Sequence, residues 1–136
     1  MAVSRSKYLW LLATLSPFAW AQEPTSFSET DMLPVRSALL TPGEVSFRPL
    51  EAPGLPPLFL VGDDPRSRHW LQQRYSTLRE LGAIGLVVNV DTPTALDQLR
   101  QLTPGLTLSP VSADDLAQRL NLHHYPALIT AGAIEQ

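Results

Sequence analysis

The spacing of apolar side chains changes at residue 57. From Leu58 onward short apolar runs alternate with amphipathic stretches, the pattern of strands laid between helices. Leu58-Phe59-Leu60-Val61 is continuously apolar and too short for a helix, which predicts a buried strand. Gly62-Asp63 turns the chain, Asp64 is placed to cap a helix, and Pro65 suits that helix's first turn. Leu71, Tyr75 and Leu78 then repeat at i, i+4, i+7, one apolar stripe on a helix that reaches Leu81 and stops at Gly82. Ile84-Gly85-Leu86-Val87-Val88-Asn89-Val90 is the strongest strand pattern in the chain. Thr92 and Pro93 open a second helix with Leu96, Leu99 and Leu102 on one side, and Leu106-Thr107-Leu108 predicts a short strand. Ser112 with Asp115 three residues on has capping-box spacing, so a third helix runs to Leu120 and closes at Asn121. Tyr125-Pro126-Ala127-Leu128-Ile129-Thr130 enters a last strand that Ala131-Gly132 turns into a brief hairpin. Strands separated by helices predict parallel pairing with right-handed crossovers.

The preceding stretch, residues 22–57, has no such order. It holds seven prolines in 36 residues, a density that interrupts helices and sheet ladders and predicts an extended lead. Two apolar patches, Met32-Leu33-Pro34-Val35 with Leu39-Leu40 and Val45-Ser46-Phe47, leave two readings open: short strands or docking segments, or a flexible tether.

Residues 1–21 read as a secretory signal. Arg5 and Lys7 are its positive head, Tyr8–Leu15 its apolar run, and Ala19-Trp20-Ala21 a small-x-small site for cleavage after Ala21. The run is about half of the ~20 residues that span a bilayer, so the expectation is export without a lasting membrane span, with an uncleaved anchor as the alternative. No cysteine follows to carry a lipid. Cleavage leaves 115 of the 136 residues and shifts the formal charge from −3 to −5, with every remaining cation an arginine. That balance speaks against nucleic acid as a partner, and the length allows one modest domain. The chain has no cysteine anywhere, which removes disulfides, thiol nucleophiles, dithiol redox chemistry and cysteine-based metal centres together.

Strand, helix beginning at a turn, strand, helix, then an X-Pro step into a strand is the order of a thioredoxin-like α/β domain. Residues 116–129 resemble the thioredoxin segment around its cis-proline, which makes a cis Pro126 the expectation and a trans proline at a strand start the alternative. By that resemblance the Gly62-Asp63-Asp64-Pro65-Arg66 turn stands where redox members carry Cys-x-x-Cys. The expected layout is a signal peptide at 1–21, a proline-rich lead at 22–57 and a thioredoxin-like domain at 58–136.

A second resemblance is more specific. Leu60-Val61-Gly62-Asp63-Asp64-Pro65-x-Ser67-x-x-Trp70-Leu71, Gly82-Ala83-x-Gly85-x-Val87-x-Asn89-Val90 and His123-x-Tyr125-Pro126-x-Leu128-Ile129-Thr130, with Ile134-Glu135-Gln136, resemble the integrating conjugative element proteins, a small exported domain family of unknown function. The resemblance spans residues 30–136. It implies a periplasmic protein bound to other subunits of a conjugative type IV secretion apparatus, and it supplies no catalytic residues.

The candidate site is a groove between the start of the first helix and the Pro126 loop, lined by Asp63, Asp64, Arg66, Trp70, His123, Tyr125 and Pro126. Trp70 stands beside the apolar stripe, and both core and partner-anchor readings stay open for it. No catalytic residue, metal or cofactor is assigned. Asp63 and Asp64 are accounted for as turn and cap, Ser67 lies in a helix's first turn rather than a Gly-x-Ser-x-Gly elbow, and Gly82-Ala83-Ile84-Gly85 precedes a strand, unlike a phosphate loop. The arginines of the first helix, Arg66, Arg68, Arg74 and Arg79, read as a solvated face. The alternative function is a metal-binding protein or hydrolase that uses His69, His123 and His124 with the two aspartates. Against it, adjacent residues in an extended segment point to opposite faces, which separates His123 from His124.

Overall fold

The computed structural model describes residues 29–136, so the signal segment and residues 22–28 lie outside the described residues. Eight strands and three helices follow one another: β1 (Thr41–Pro42), β2 (Arg48–Pro49), β3 (Leu58–Gly62), α1 (Pro65–Leu81), β4 (Ile84–Asn89), α2 (Pro93–Gln101), β5 (Thr107–Pro110), α3 (Asp114–Leu120), β6 (His124–Tyr125), β7 (Ala127–Ile129) and β8 (Ala133–Glu135). The fold is mixed α/β. Six strands form one sheet in the order β2-β8-β7-β3-β4-β5, and β1 pairs with β6 in a second, two-stranded sheet.

The two crossover helices place β3, β4 and β5 parallel to one another, as strand–helix alternation demands. The last crossover departs from that rule. β7 does not join β5. It enters beside β3 from the opposite end, antiparallel, and turns at Ala131-Gly132 into the antiparallel β8. Because side chains alternate across a strand, Phe59 and Val61 face one layer and Leu60 the other. Trp70, Leu71 and Leu78 of α1 with Leu96 and Leu99 of α2 pack on the first face. Ala117 of α3 and Leu122 pack with Leu60, Val88, Ile129 and Ile134 on the second.

Capping explains two of the helix starts. Asp64 caps α1 and Thr92 caps α2, each accepting from the backbone N–H three residues on (2.9 and 3.1 Å) with proline next in line. Gly82 closes α1 at φ 62°, a left-handed turn that an L side chain rarely adopts. α3 differs from its predicted capping box. Ala113 occupies its cap position without a side-chain bond, and the Asp114 carboxylate is directed outward. That carboxylate accepts from the Ala38 and Leu39 N–H groups at 3.2 and 2.9 Å.

Asp114 thereby holds the proline-rich segment, much of which belongs to the fold. The compact unit runs from Met32 to Gln136, where the sequence pattern places the domain's start at residue 58. Val35 makes paired backbone bonds with Val90 (2.9 and 3.1 Å), and the Ser37 hydroxyl donates to Val88 O at 2.7 Å and accepts from Ala113 N at 2.9 Å. Leu40 is 2% exposed beside Leu60 and Val88. β1 lies along β6, β2 closes the sheet edge against β8, and Arg48 donates to the last carbonyls of α3 at Leu120 and Asn121. The segment is a strap that runs from the end of β4, where Val35 joins the first core layer, past Leu40 in the second layer to the β8 edge. Its two apolar patches differ: the first contributes buried Val35 and Leu40, while of the second only Val45 packs, half-buried, against the core. Val45-Ser46-Phe47 forms no strand, and Phe47 is 65% exposed. No helix among the described residues is long and apolar enough to cross a membrane.

Candidate functional site

The turn after β3 and the end of β4 lie side by side at the carboxyl ends of two parallel strands, the place where open α/β sheets leave a crevice for ligands. A cleft of about 250 Å³ opens there, lined by Arg36, Asp63, Asn89, Val90, Asp91 and Tyr125. β3 and β4 bring Asp63 and Asn89 together, the strap brings Arg36, and β6 brings Tyr125 from the far end of the chain.

The rim is built on Asp64. Its two carboxylate oxygens accept from Ser67 N (2.9 Å) and Ser67 Oγ (2.8 Å), and Ser67 Oγ accepts in turn from Gly62 N at 2.9 Å. Asp64 is thus fully engaged as a structural cap. Its neighbour Asp63 is held by its own N–H to Asn89 O (3.0 Å) and pairs with Arg68, one turn into α1. Across the cleft Arg36 pairs with Asp91 at the surface.

The floor is Tyr125, 3% exposed, whose ring lies over Gly62. Asn89 orients it. The Asn89 oxygen accepts from Ser37 N at 2.7 Å, and its amide nitrogen donates to Leu40 O (3.3 Å) and to the Tyr125 hydroxyl (3.2 Å). Burial raises the phenol's pKa above its usual 10.0; the Asn89 bond opposes this, while Asp64 and Asp63 reinforce it. The peptide bond from Tyr125 to Pro126 is cis.

The seven groove residues of the sequence reading therefore separate. Asp63 and Tyr125 line the cleft, Asp64 shapes its rim from behind, and Pro126 is buried directly after Tyr125. Arg66 is exposed on α1. Trp70 is 6% exposed, with its ring tilted against Phe59 at 6.1 Å, so it belongs to the core rather than to a groove wall. Its indole N–H has no acceptor among the described residues. His123 lies elsewhere, exposed between two smaller clefts bounded by Phe47 and Arg48 on one side and Leu39 and Ala117 on the other. His124 Nδ1 is 3.1 Å from Thr41 Oγ1, and His69 is exposed on α1. Among the described residues no group of three or more histidines and carboxylates is placed to hold a metal ion.

The sequence reading places none of Arg36, Asn89 and Asp91 in the groove, although Asn89 belongs to the Gly82–Val90 motif. One signal for Asn89 was available: it is the only polar side chain in the run Ile84–Val90, and a polar group inside a buried strand must have partners.

The chain belongs to a family described as a protein of unknown function, DUF2859, which it matches over residues 13–134. No curated protein and no solved structure matches it.

Proposed function

We propose that this DUF2859 protein is a non-enzymatic, periplasmic component of a conjugative type IV secretion apparatus that works by binding another subunit through the Asp63–Tyr125 cleft. The observation that carries the reading is the cleft itself, an open, polar crevice at the carboxyl ends of β3 and β4 whose walls are fixed by hydrogen bonds. Its side chains suit recognition. The carboxylate of Asp64 is consumed as a cap, Ser67 Oγ is bonded on both sides, and Asp63 and Asp91 each have an arginine partner.

The scaffold we propose is thioredoxin-like without its cysteines. In its support, β3-α1-β4 is a parallel unit whose helix begins at the Asp63-Asp64 turn, and β7 and β8 form an antiparallel hairpin on the other side of β3. Two residues of the expected groove, Asp63 after β3 and Tyr125 before Pro126, line the cleft, which supports the reading. The extra edge strand β5 and the strap are additions to that plan. The conjugative assignment and the export signal rest on the sequence resemblance and on the Ala19-Trp20-Ala21 pattern.

The test is capture of the exported protein from a donor cell with its neighbours cross-linked and identified by mass spectrometry. Secretion subunits recovered with the wild type and lost with Asp63→Arg are the expected result. Recovery of none, from a strain in which transfer proceeds, sinks the proposal.

A further inference from the structure

The hydrogen bonds around Asn89 determine which way the Tyr125 hydroxyl must face. Ser37 N–H, 2.7 Å away, requires an acceptor, so the Asn89 atom facing it is the oxygen. Leu40 O, 3.3 Å away, requires a donor, so the other terminus is the NH2 group. The amide cannot be reversed without breaking both bonds. The Tyr125 oxygen is consequently an acceptor from Asn89, and its own proton must go elsewhere. Among the described residues nothing accepts that proton. A side chain 97% buried by its 3% exposure thus presents an unsatisfied donor, and the space it borders is the 250 Å³ cleft.

A buried donor without an acceptor is costly, and a ligand that brings an acceptor relieves the cost. An anion is disfavoured. Three carboxylates stand at the cleft, Asp63, Asp91 and Asp64 behind the rim, against two guanidiniums, Arg68 paired with Asp63 and Arg36 paired with Asp91, so a net negative charge remains. A neutral carbonyl meets that need without adding negative charge, and the net charge around it favours a cation beside it. We infer that the cleft recognises a cationic amine adjacent to a carbonyl, the amine on the Asp63 carboxylate and the carbonyl oxygen on the Tyr125 hydroxyl. Peptides offer that chemistry in two forms: a free amino terminus with its first carbonyl, or a lysine side chain beside the main chain. The inference rests on the partner-binding reading of the same cleft and names what part of a partner it takes.

The experiment is an NMR titration of the exported protein with three probes: trialanine amide, N-acetyl-trialanine amide and N-acetyl-alanyl-lysyl-alanine amide. Saturable shifts centred on Gly62, Asp63 and Tyr125, seen with trialanine amide alone, identify the amino terminus; seen with the lysyl peptide alone, they identify the lysine. Asp63→Asn and Tyr125→Phe should each weaken that binding about tenfold, as loss of a hydrogen bond with a charged or buried partner does. Asp97→Asn, an exposed carboxylate on α2 outside the cleft, should leave it unchanged. Equal binding of the doubly blocked neutral peptide, binding indifferent to Asp63→Asn and Tyr125→Phe, or no binding by any probe overturns the inference. The two readings fail separately. A partner captured without amine recognition leaves the proposed function standing, and amine recognition without a secretion partner leaves the ligand chemistry standing.

Discussion

The Tyr125 ring occupies the space into which a side chain at Gly62 would project: a methyl group there would meet Cε1 of the tyrosine at 2.5 Å. Neither group has room to yield, since Gly62 N is bonded to Ser67 Oγ and the ring is buried. Gly62→Ala is expected to lower stability by about 1–3 kcal/mol, the usual cost of overpacking. Gly132→Ala, at a turn with nothing within 4 Å, is the control and should lie within about 0.5 kcal/mol of wild type. Urea denaturation of the two variants decides the matter.

The strap is part of the core wherever it contributes a buried side chain. Leu40→Ala should cost about 2–5 kcal/mol, as truncation of a buried leucine does. Leu39→Ala, one residue earlier and exposed, should cost little. Equal, negligible effects at both positions, read from thermal unfolding, would show the segment to be a tether.

Asp64 accepts two hydrogen bonds at the start of α1. Asp64→Ala should lower stability by about 0.5–2 kcal/mol and disorder the cleft rim, whereas Asp64→Asn, which keeps an acceptor for Ser67 N, should retain most of it. Amide hydrogen exchange at Ser67 reports the cap directly, and unchanged protection in the alanine variant would refute its role.

Burial raises the pKa of the Tyr125 phenol above its usual 10.0. Above that value the unfolded chain loses the proton more readily than the folded one, so unfolding is favoured as pH rises. The contribution is fully present below pH 10.0 and is lost as pH climbs through the folded value. Urea midpoints measured from neutral pH into the alkaline range should fall more steeply in wild type than in Tyr125→Phe. Parallel curves would rule out the linkage.

Most of the regular structure was legible because its signals are local. Asp64-Pro65, Thr92-Pro93, Gly82 and Asn121 mark helix ends by their own backbone and side-chain chemistry, and the helices begin and end there. The strap was not legible, since its order comes from partners far along the chain: Val35 to Val90, Thr41 to His123, Leu50 to Gly132. A proline-rich segment with no period of its own carries no local trace of such pairing. Ser112 misled for the opposite reason. Its spacing to Asp115 fits a capping box, while Asp114 beside it is occupied by the strap's Ala38 and Leu39. In the site, Asp63 and Tyr125 stand out as polar or amphipathic groups at strand ends. Arg36 and Asp91 reach the cleft only through the Val35–Val90 bridge, which no pattern in either segment announces.

The strap also sets an order of events. β3, α1 and β4 are neighbours in sequence and close short loops, whereas the bond between Thr41 and His124 joins residues 83 positions apart. Almost everything the strap holds on to is made after it, and β1 and β2 have no sheet partner until β6 and β8 have been synthesised. A growing chain can therefore pair residues 35–39 once residues 88–114 are made, whereas residues 41–52 wait for partners at 123–134. Loss of β6 and β8 would remove not only part of the sheet but also the partners of β1 and β2, leaving the strap held only by its first residues.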